Sequence, residues 1–231
     1  MARRNAIFFE ENLRIPEDAL SFDGFQRWTD SDGFPETGRI DYLEGNVEVD
    51  MSPEDLYTHS AVKTAIALRL GTLIVEGDLG DVFIDRSRVR SRFAELSVEP
   101  DIVVVLSSSL KTGKVRLIPA ASGKKGTDRF SALDGPVDLV VEIISDGSVG
   151  KDNRRLPRSY ARAGIPEFWT VDARGKDLQF RIHSLQDGVY AVIEPDSEGW
   201  ARSPQLGLDF RLRRRRADPA PWRYTLEHRS A

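Results

Sequence analysis

The 231-residue chain contains no cysteine, which excludes disulfides, thiolate nucleophiles and cysteine-bound zinc. Histidine is scarce as well. His59, His183 and His228 lie far apart and show no metal-ligand spacing. No stretch approaches the roughly 18 consecutive apolar residues that a membrane-spanning helix requires. The opening residues join Arg3 and Arg4 to a short apolar patch, but Glu10 and Glu11 interrupt it, so no secretion signal is read there. A cytoplasmic protein with no membrane partner is the expectation. The phosphate-binding P-loop, the glycine-rich dinucleotide fingerprint, the GxSxG elbow and the HExxH zinc helix are all missing, so no organic cofactor is expected.

What is present suits one large folded domain. Hydrophobic residues make up 40% of the chain, enough to build a core, and the formal net charge is only -4. Bulk charge therefore says little about partners, and local patches decide. Basic residues gather at Arg211 and Arg213–Arg216. They gather again at Lys111, Lys114, Arg116, Lys124, Lys125 and Arg129, and at Lys151, Arg154, Arg155, Arg158 and Arg162.

The apolar spacing predicts a short helix near 21–29, then a hairpin in GRIDYLEGNVEVDMSP turning at Glu44-Gly45-Asn46. A long helix is predicted over 56–75 and a strand over 79–86. Ile102–Leu106 and the run VDLVVEII at 137–144 read as interior strands. A second helix is predicted over 154–163, with Pro157 in its early part, followed by a strand at 167–171. A hairpin at 178–194 and a last strand around Leu206, Leu208 and Phe210 complete the elements. The expected organisation is an N-terminal arm (1–36), an α/β domain (37–216) with a long insertion at 107–136, irregular but for a short strand at Val115–Ile118, and a loosely held tail (217–231).

Two acidic residues stand out. Asp101 opens one hydrophobic strand and Glu142 lies inside another, and a carboxylate in such a run is costly to bury without a partner. If the two strands are neighbours, the side chains converge at one end of the sheet, where a hard divalent cation would relieve their repulsion and activate water. The bland alternative is a turn-capping Asp101 and a Glu142 paired with an arginine of the next helix. His59, in the first turn of the long helix, is either a proton carrier facing the same pocket or an ordinary surface histidine. Lys151 and Arg155 head the basic helix that could reach a phosphate. Tyr160 either reaches the site through its hydroxyl or is simply half-buried. The arginine run at 213–216 is either a phosphate contact or a solvated strand end. On spacing alone, Glu44 is a solvated turn residue.

The segments YLEGNVEVDMSP, His59, EPDIVVV, VDLVVEIIS and YARAGIPEFWTVD resemble the Uma2 family, bacterial proteins described as restriction endonucleases within the PD-(D/E)XK nuclease-like superfamily. The likeness spans roughly 15–212, and its most specific block is DLVVEIIS followed by SYARAGIPEFWTVD. It implies a restriction endonuclease-like core, a mixed central β-sheet flanked by helices, here with additional N- and C-terminal β-hairpins. It also implies metal-assisted hydrolysis of a DNA phosphodiester. Asp101 and Glu142 are then the metal ligands, for Mg²⁺ or Mn²⁺, with Glu44, His59 and Tyr160 near the same pocket. Two departures stand against it. Ile144 occupies the position of the superfamily lysine, and Leu156 the helix position where this family usually carries it, which leaves Arg155 or Lys151 to contact phosphate. The competing expectation is a nuclease-fold protein that binds nucleic acid or a protein partner without turnover. Homodimerisation is expected by association with nucleases that cut both strands.

Overall fold

Alternate residues of the run Ile102–Leu106 enter different cores. Ile102 and Val104 join one apolar cluster, whereas Val103 and Val105 join another. A strand buried on both faces needs an unbroken β-branched sequence, and this one has it. The computed structural model describes residues 13–35, 37–120, 128–148 and 150–230. Lys124, Lys125 and the first twelve residues of the N-terminal arm lie outside them.

In chain order, α1 (Phe22–Thr29) precedes the hairpin of β1 (Arg39–Leu43) and β2 (Asn46–Asp50). A wide turn at Leu56–Ser60 leads into α2 (Ala61–Ile74). Next come β3 (Gly80–Ile84), β4 (Arg88–Ser91), β5 (Leu96–Val98) and β6 (Ile102–Leu106). The short α3 (Ser107–Lys111), β7 (Arg116–Pro119) and β8 (Phe130–Asp134) lead to β9 (Leu139–Ile143). Helix α4 (Leu156–Ala163) joins β9 to β10 (Glu167–Asp172). The chain then forms β11 (Gln179–Gln186), β12 (Val189–Ile193), β13 (Ala201–Ser203), β14 (Leu208–Arg216) and β15 (Trp222–Arg229).

The central sheet has the order β12-β11-β10-β9-β6-β3 and is mixed, with β9 and β10 parallel and β6 antiparallel to β9. On one face α2 and the C-terminal sheet β13-β14-β15 bury Val62, Ile66, Leu70, Phe210 and Leu226 against Ile102, Val141 and Trp169. On the other, α4 and a second six-stranded sheet, β2-β1-β5-β4-β8-β7, close over Val103, Val140 and Phe168. Helix α1 packs Phe22, Phe25 and Trp28 on Ile40 and Tyr42. This is the expected α/β, restriction endonuclease-like core with mixed sheets flanked by helices and extra strands at both ends. Among the described residues no helix is long and apolar enough to cross a membrane.

Local chemistry sets the boundaries near the site. Glu44 and Gly45 both have positive φ (52° and 79°), as a tight hairpin turn requires. Pro157 follows a wide turn at Lys151–Arg155, in which the Leu156 N–H reaches the Lys151 carbonyl, and Gly164 ends α4 in the left-handed conformation.

Three expectations differ from the structure. The segment 107–136 holds more than the one expected strand, which is β7: α3 and β8 also lie within it, and β8 pairs in parallel with β4. The expected loose tail carries a strand over its described part, 217–230: β15 pairs with β14 along eight positions and packs against α2. Strand β4 went unread because RVRS contains two arginines. Both are buried, Arg88 against Glu99 and Arg90 against Asp30.

Candidate active site

Strands β6 and β9 are neighbours, with Ile102 opposite Val141. Continuing the register by one residue sets Asp101 across from Glu142. Asp101 is 4% exposed and Glu142 1%, so both need partners. Asp101 Oδ2 accepts the backbone N–H of Ile143 at 2.7 Å, which fixes it to the end of β9. Glu142 Oε1 accepts the Tyr160 hydroxyl at 2.5 Å. Helix α4 buries Leu156, Ser159, Tyr160 and Ala163 on one face, and that face brings the hydroxyl to the sheet.

Arg39 links the two carboxylates. Alternation along β1 turns Ile40 and Tyr42 toward α1 and sends Arg39 and Asp41 the other way. Arg39 Nη2 lies 3.5 Å from Glu142 Oε2, Nη1 3.9 Å from Asp101 Oδ1, and Nε 3.2 Å from Asp41 Oδ2. Lys151 Nζ meets Asp41 Oδ2 at 2.5 Å, and the Glu99 N–H donates to Asp41 Oδ1 at 2.9 Å.

The wide turn before α2 supplies the opposite wall. Asp55 caps it by accepting from the N–H groups of Tyr57 and Thr58. His59 and Lys63, four residues apart on one helix face, both point at Asp101. His59 Nε2 is 3.4 Å from Asp101 Oδ2, and Nδ1 is 3.2 Å from Glu54 Oε2. That Nδ1 is buried and its geometry makes no hydrogen bond. Lys63 Nζ touches Glu54 and Asp85, each at 2.5 Å, and lies 3.8 Å from Asp101. A cleft of about 430 Å³ opens between these walls, with Arg39, Glu54, His59, Asp85, Asp101 and Ser145 among its lining residues.

Electrostatics splits the two sheet carboxylates. Burial pushes the Asp101 carboxyl up, but His59, Arg39 and Lys63 outweigh it and leave Asp101 below the ordinary value. Burial pushes Glu142 up to about 8. Arg39 and the Tyr160 hydrogen bond oppose that shift, and the charges of Asp101 and Asp152 reinforce it. One carboxyl is thus an anion at neutral pH while its neighbour keeps its proton, the arrangement that separates acid and base roles. Burial lowers His59, yet Asp101 and Glu54 more than compensate and raise it.

Ligand atoms of Glu54, His59 and Asp101 all lie within 4.8 Å of one another, which fits a single divalent cation. The free Nδ1 of His59, facing the Glu54 carboxylate, is a donor atom ready for such an ion. Glu142 is not in that cluster. It sits behind the cleft wall, held by Arg39 and Tyr160.

The fold and this cluster meet two comparisons. A family model described as "Putative restriction endonuclease", Uma2, matches residues 22–215. The chain belongs to the Uma2 family. The structure is also similar to the 1.96 Å crystal structure of a "putative nuclease belonging to DUF820" from Anabaena variabilis ATCC 29413, with TM-score 0.59 and 18% identity, over 80% of this chain and 90% of that one. At that identity the likeness shows the nuclease-like fold alone. No curated protein matches the chain.

In this Uma2 chain the residues singled out from sequence fall into two groups. Asp101, His59, Glu142 and Tyr160 come together, and Lys151 joins them through Asp41. Arg155 and Glu44 instead pair with each other at 3.1 Å, and Arg155 also grips Glu48, outside the cleft lining. Leu156 is wholly buried and Ile144 is 5% exposed, so both lysine positions are filled by core. Sequence reasoning missed Arg39, Asp41, Glu54, Lys63 and Asp152. The available signals were the alternation of Arg39 and Asp41 on β1 and the four-residue spacing of His59 and Lys63. Asp152, 2% exposed with its Oδ1 unsatisfied, gave no signal.

Proposed function

We propose that this protein hydrolyses nucleic-acid phosphodiesters with a divalent cation, Mg²⁺ or Mn²⁺, as a DNA endonuclease of the PD-(D/E)XK superfamily. The observation that carries the reading is the Glu54–His59–Asp101 cluster at the mouth of a cleft, in a chain of the Uma2 family. Asp101, His59 and Glu54 are the groups that would hold the ion, and Glu142 stands beside them, held by Arg39 and Tyr160. The ion supplies an acidified water and charge for the developing phosphorane. Arg39 and Lys151 supply fixed positive charge for the substrate phosphate, with the planar guanidinium of Arg39 suited to two of its oxygens. Tyr160 orients the Glu142 carboxyl, which carries the proton that a leaving oxygen would need.

The test is nicking of supercoiled plasmid by wild type, Asp101→Ala and Glu142→Ala with Mg²⁺ or Mn²⁺. Nicking that needs the metal and vanishes in both variants supports the assignment, and cutting retained in both purified variants sinks it. A second reading, a nucleic-acid-binding relative without turnover, is favoured by Leu156 and Ile144 at the lysine positions and by the Arg39 clamp on Glu142. It predicts salt-sensitive DNA binding with no cleavage under any divalent metal.

A further inference from the structure

A second cationic surface lies outside the cleft, on the C-terminal strands. Strands β14 and β15 pair from Asp209 opposite Arg229 to Arg216 opposite Trp222, but β13 covers only the Leu208–Phe210 end of β14. Residues 211–216 and 222–227 therefore form a two-stranded ribbon. On one face Leu212 and Leu226 enter the core, while Arg214 and Arg216 stack on Trp222 at 4.3 and 4.0 Å. The other face exposes Arg213, Arg215, Arg223 and Thr225.

The charges on that exposed face are not balanced within the protein. Arg215 and Arg223 are direct cross-strand partners, and like charges so placed repel. Arg213 has one carboxylate near it, Glu227 at 3.5 Å, which Arg211 already holds at 2.7 Å. Among the described residues neither Arg215 nor Arg223 forms an ion pair. With Lys176, Asp177 and Glu227 the three arginines border a depression of about 630 Å³, whose lining is still positive on balance.

Two anchors tie the inner face of the ribbon to elements that border the cleft. Arg214 Nη1 donates to the carbonyls of Ala173 and Gly175, in the turn after β10. Arg174 of that turn holds Asp146 at 2.8 Å and the Ser145 carbonyl at 3.5 Å, and Ser145 lines the cleft. On the other strand, Leu226 accepts a hydrogen bond from Arg69 of α2. Tyr224, nearer the ribbon tip, feels the charge of Asp55, which adds to burial in raising its hydroxyl pKa. Asp55 caps the turn that presents His59. The ribbon is thus joined, through the turn after β10, to the Ser145 side of the cleft.

We propose that the exposed face of the β14–β15 ribbon, through Arg213, Arg215 and Arg223, binds the phosphodiester backbone of the same nucleic acid whose scissile bond enters the cleft. The substrate class rests on the reading given above. Guanidinium groups match phosphate oxygens geometrically, and an unbalanced row of them suits a repeating polyanion.

Binding is measured without cleavage, by fluorescence anisotropy of a labelled duplex in EDTA over a range of KCl concentrations. The R213A/R215A/R223A variant, changed only at exposed positions, is compared with wild type and with a charge-matched control, R27A/R92A/R116A. The ribbon variant should bind about 10- to 100-fold more weakly, with a salt slope shallower by about 2 to 3, while the control stays near wild type. Equal loss in the control, an unchanged ribbon variant, or wild-type binding of poly-glutamate as tight as that of DNA overturns the proposal. If the ribbon result holds and no metal supports plasmid nicking, the hydrolase reading fails while the binding surface stands.

Discussion

Arg39 Nη2 stands 3.5 Å from Glu142 Oε2 while its other terminal nitrogen faces Asp101 at 3.9 Å. One guanidinium thus lies between an ionised carboxylate and a buried carboxyl that keeps its proton. Replacing Arg39 by methionine removes that counter-charge and leaves the acids in place. In EDTA, R39M should lose about 3 kcal/mol in urea unfolding, the low end for breaking a buried pair because the arginine side chain is 27% exposed. Saturating Mn²⁺ should then stabilise R39M more than wild type. Equal stabilisation of the two proteins would show that arginine and metal do not answer to the same carboxyls.

The ion cluster makes a sharper claim about which acids matter. Glu54→Gln, His59→Asn and Asp101→Asn should each weaken Mn²⁺ binding more than about tenfold in a calorimetric titration. Glu44→Gln should leave it unchanged, because that carboxylate is paired with Arg155 outside the cleft lining. A loss in E44Q as large as in E54Q would place the ion elsewhere.

His183 should give the fold a pH dependence of its own. Its ring stacks on Phe168 with centroids 5.4 Å apart, and Nε2 lies 3.1 Å from Thr170 Oγ1. Burial, with Arg181 alongside, lowers its pKa to about 4. In the unfolded chain the ring titrates near 6.5, so between these values the unfolded state binds more protons. Stability therefore falls as pH drops from about 7 toward 4, by at most roughly 3 kcal/mol from this group. His183→Gln removes the term. The urea midpoint should shift less between pH 7 and pH 5 in H183Q than in wild type, and an identical shift in both would refute the assignment.

Tyr160 is a positioning residue, since its hydroxyl acts through Glu142. Tyr160→Phe keeps the ring packed on Phe168 and deletes one buried hydrogen bond, at a cost of about 1 to 2 kcal/mol. Mn²⁺ affinity should be retained within a few-fold, because Tyr160 touches no member of the Glu54–His59–Asp101 cluster. Loss of metal binding in Y160F would move Glu142 into the coordination sphere.

The fold was legible where apolar periodicity was clean. The β-branched runs marked β6 and β9 as interior strands, but their adjacency, which brings Asp101 and Glu142 together, was only a condition in the sequence and is supplied by the fold. The site was legible only in part, because buried charge reads as surface in a sequence. Asp41 looks like the polar half of an exposed hairpin, yet Arg39 and Lys151 allow it to be buried. Arg88 and Arg90 hid β4 for the same reason. In β15 the alternation of Trp222, Tyr224, Leu226 and His228 was visible, but the charged residues between them resembled a solvated end. Glu54 and Lys63 meet only through the wide turn at Leu56–Ser60, whose geometry no spacing rule announces.

Glu167, in the family's most specific sequence block, serves the C-terminal sheet. Wholly buried, it accepts from Trp169 Nε1 and Ser203 Oγ, each at 2.6 Å, and from the Gln205 N–H at 2.9 Å. Two of those three donors come from the segment that leads into the arginine ribbon. Trimming the chain near residue 200 to obtain a minimal nuclease would strand this acid in apolar surroundings and strip the cover from Trp169. The ribbon is thus tied to the α/β body through a buried acid, so removing the last strands would also unsettle β10.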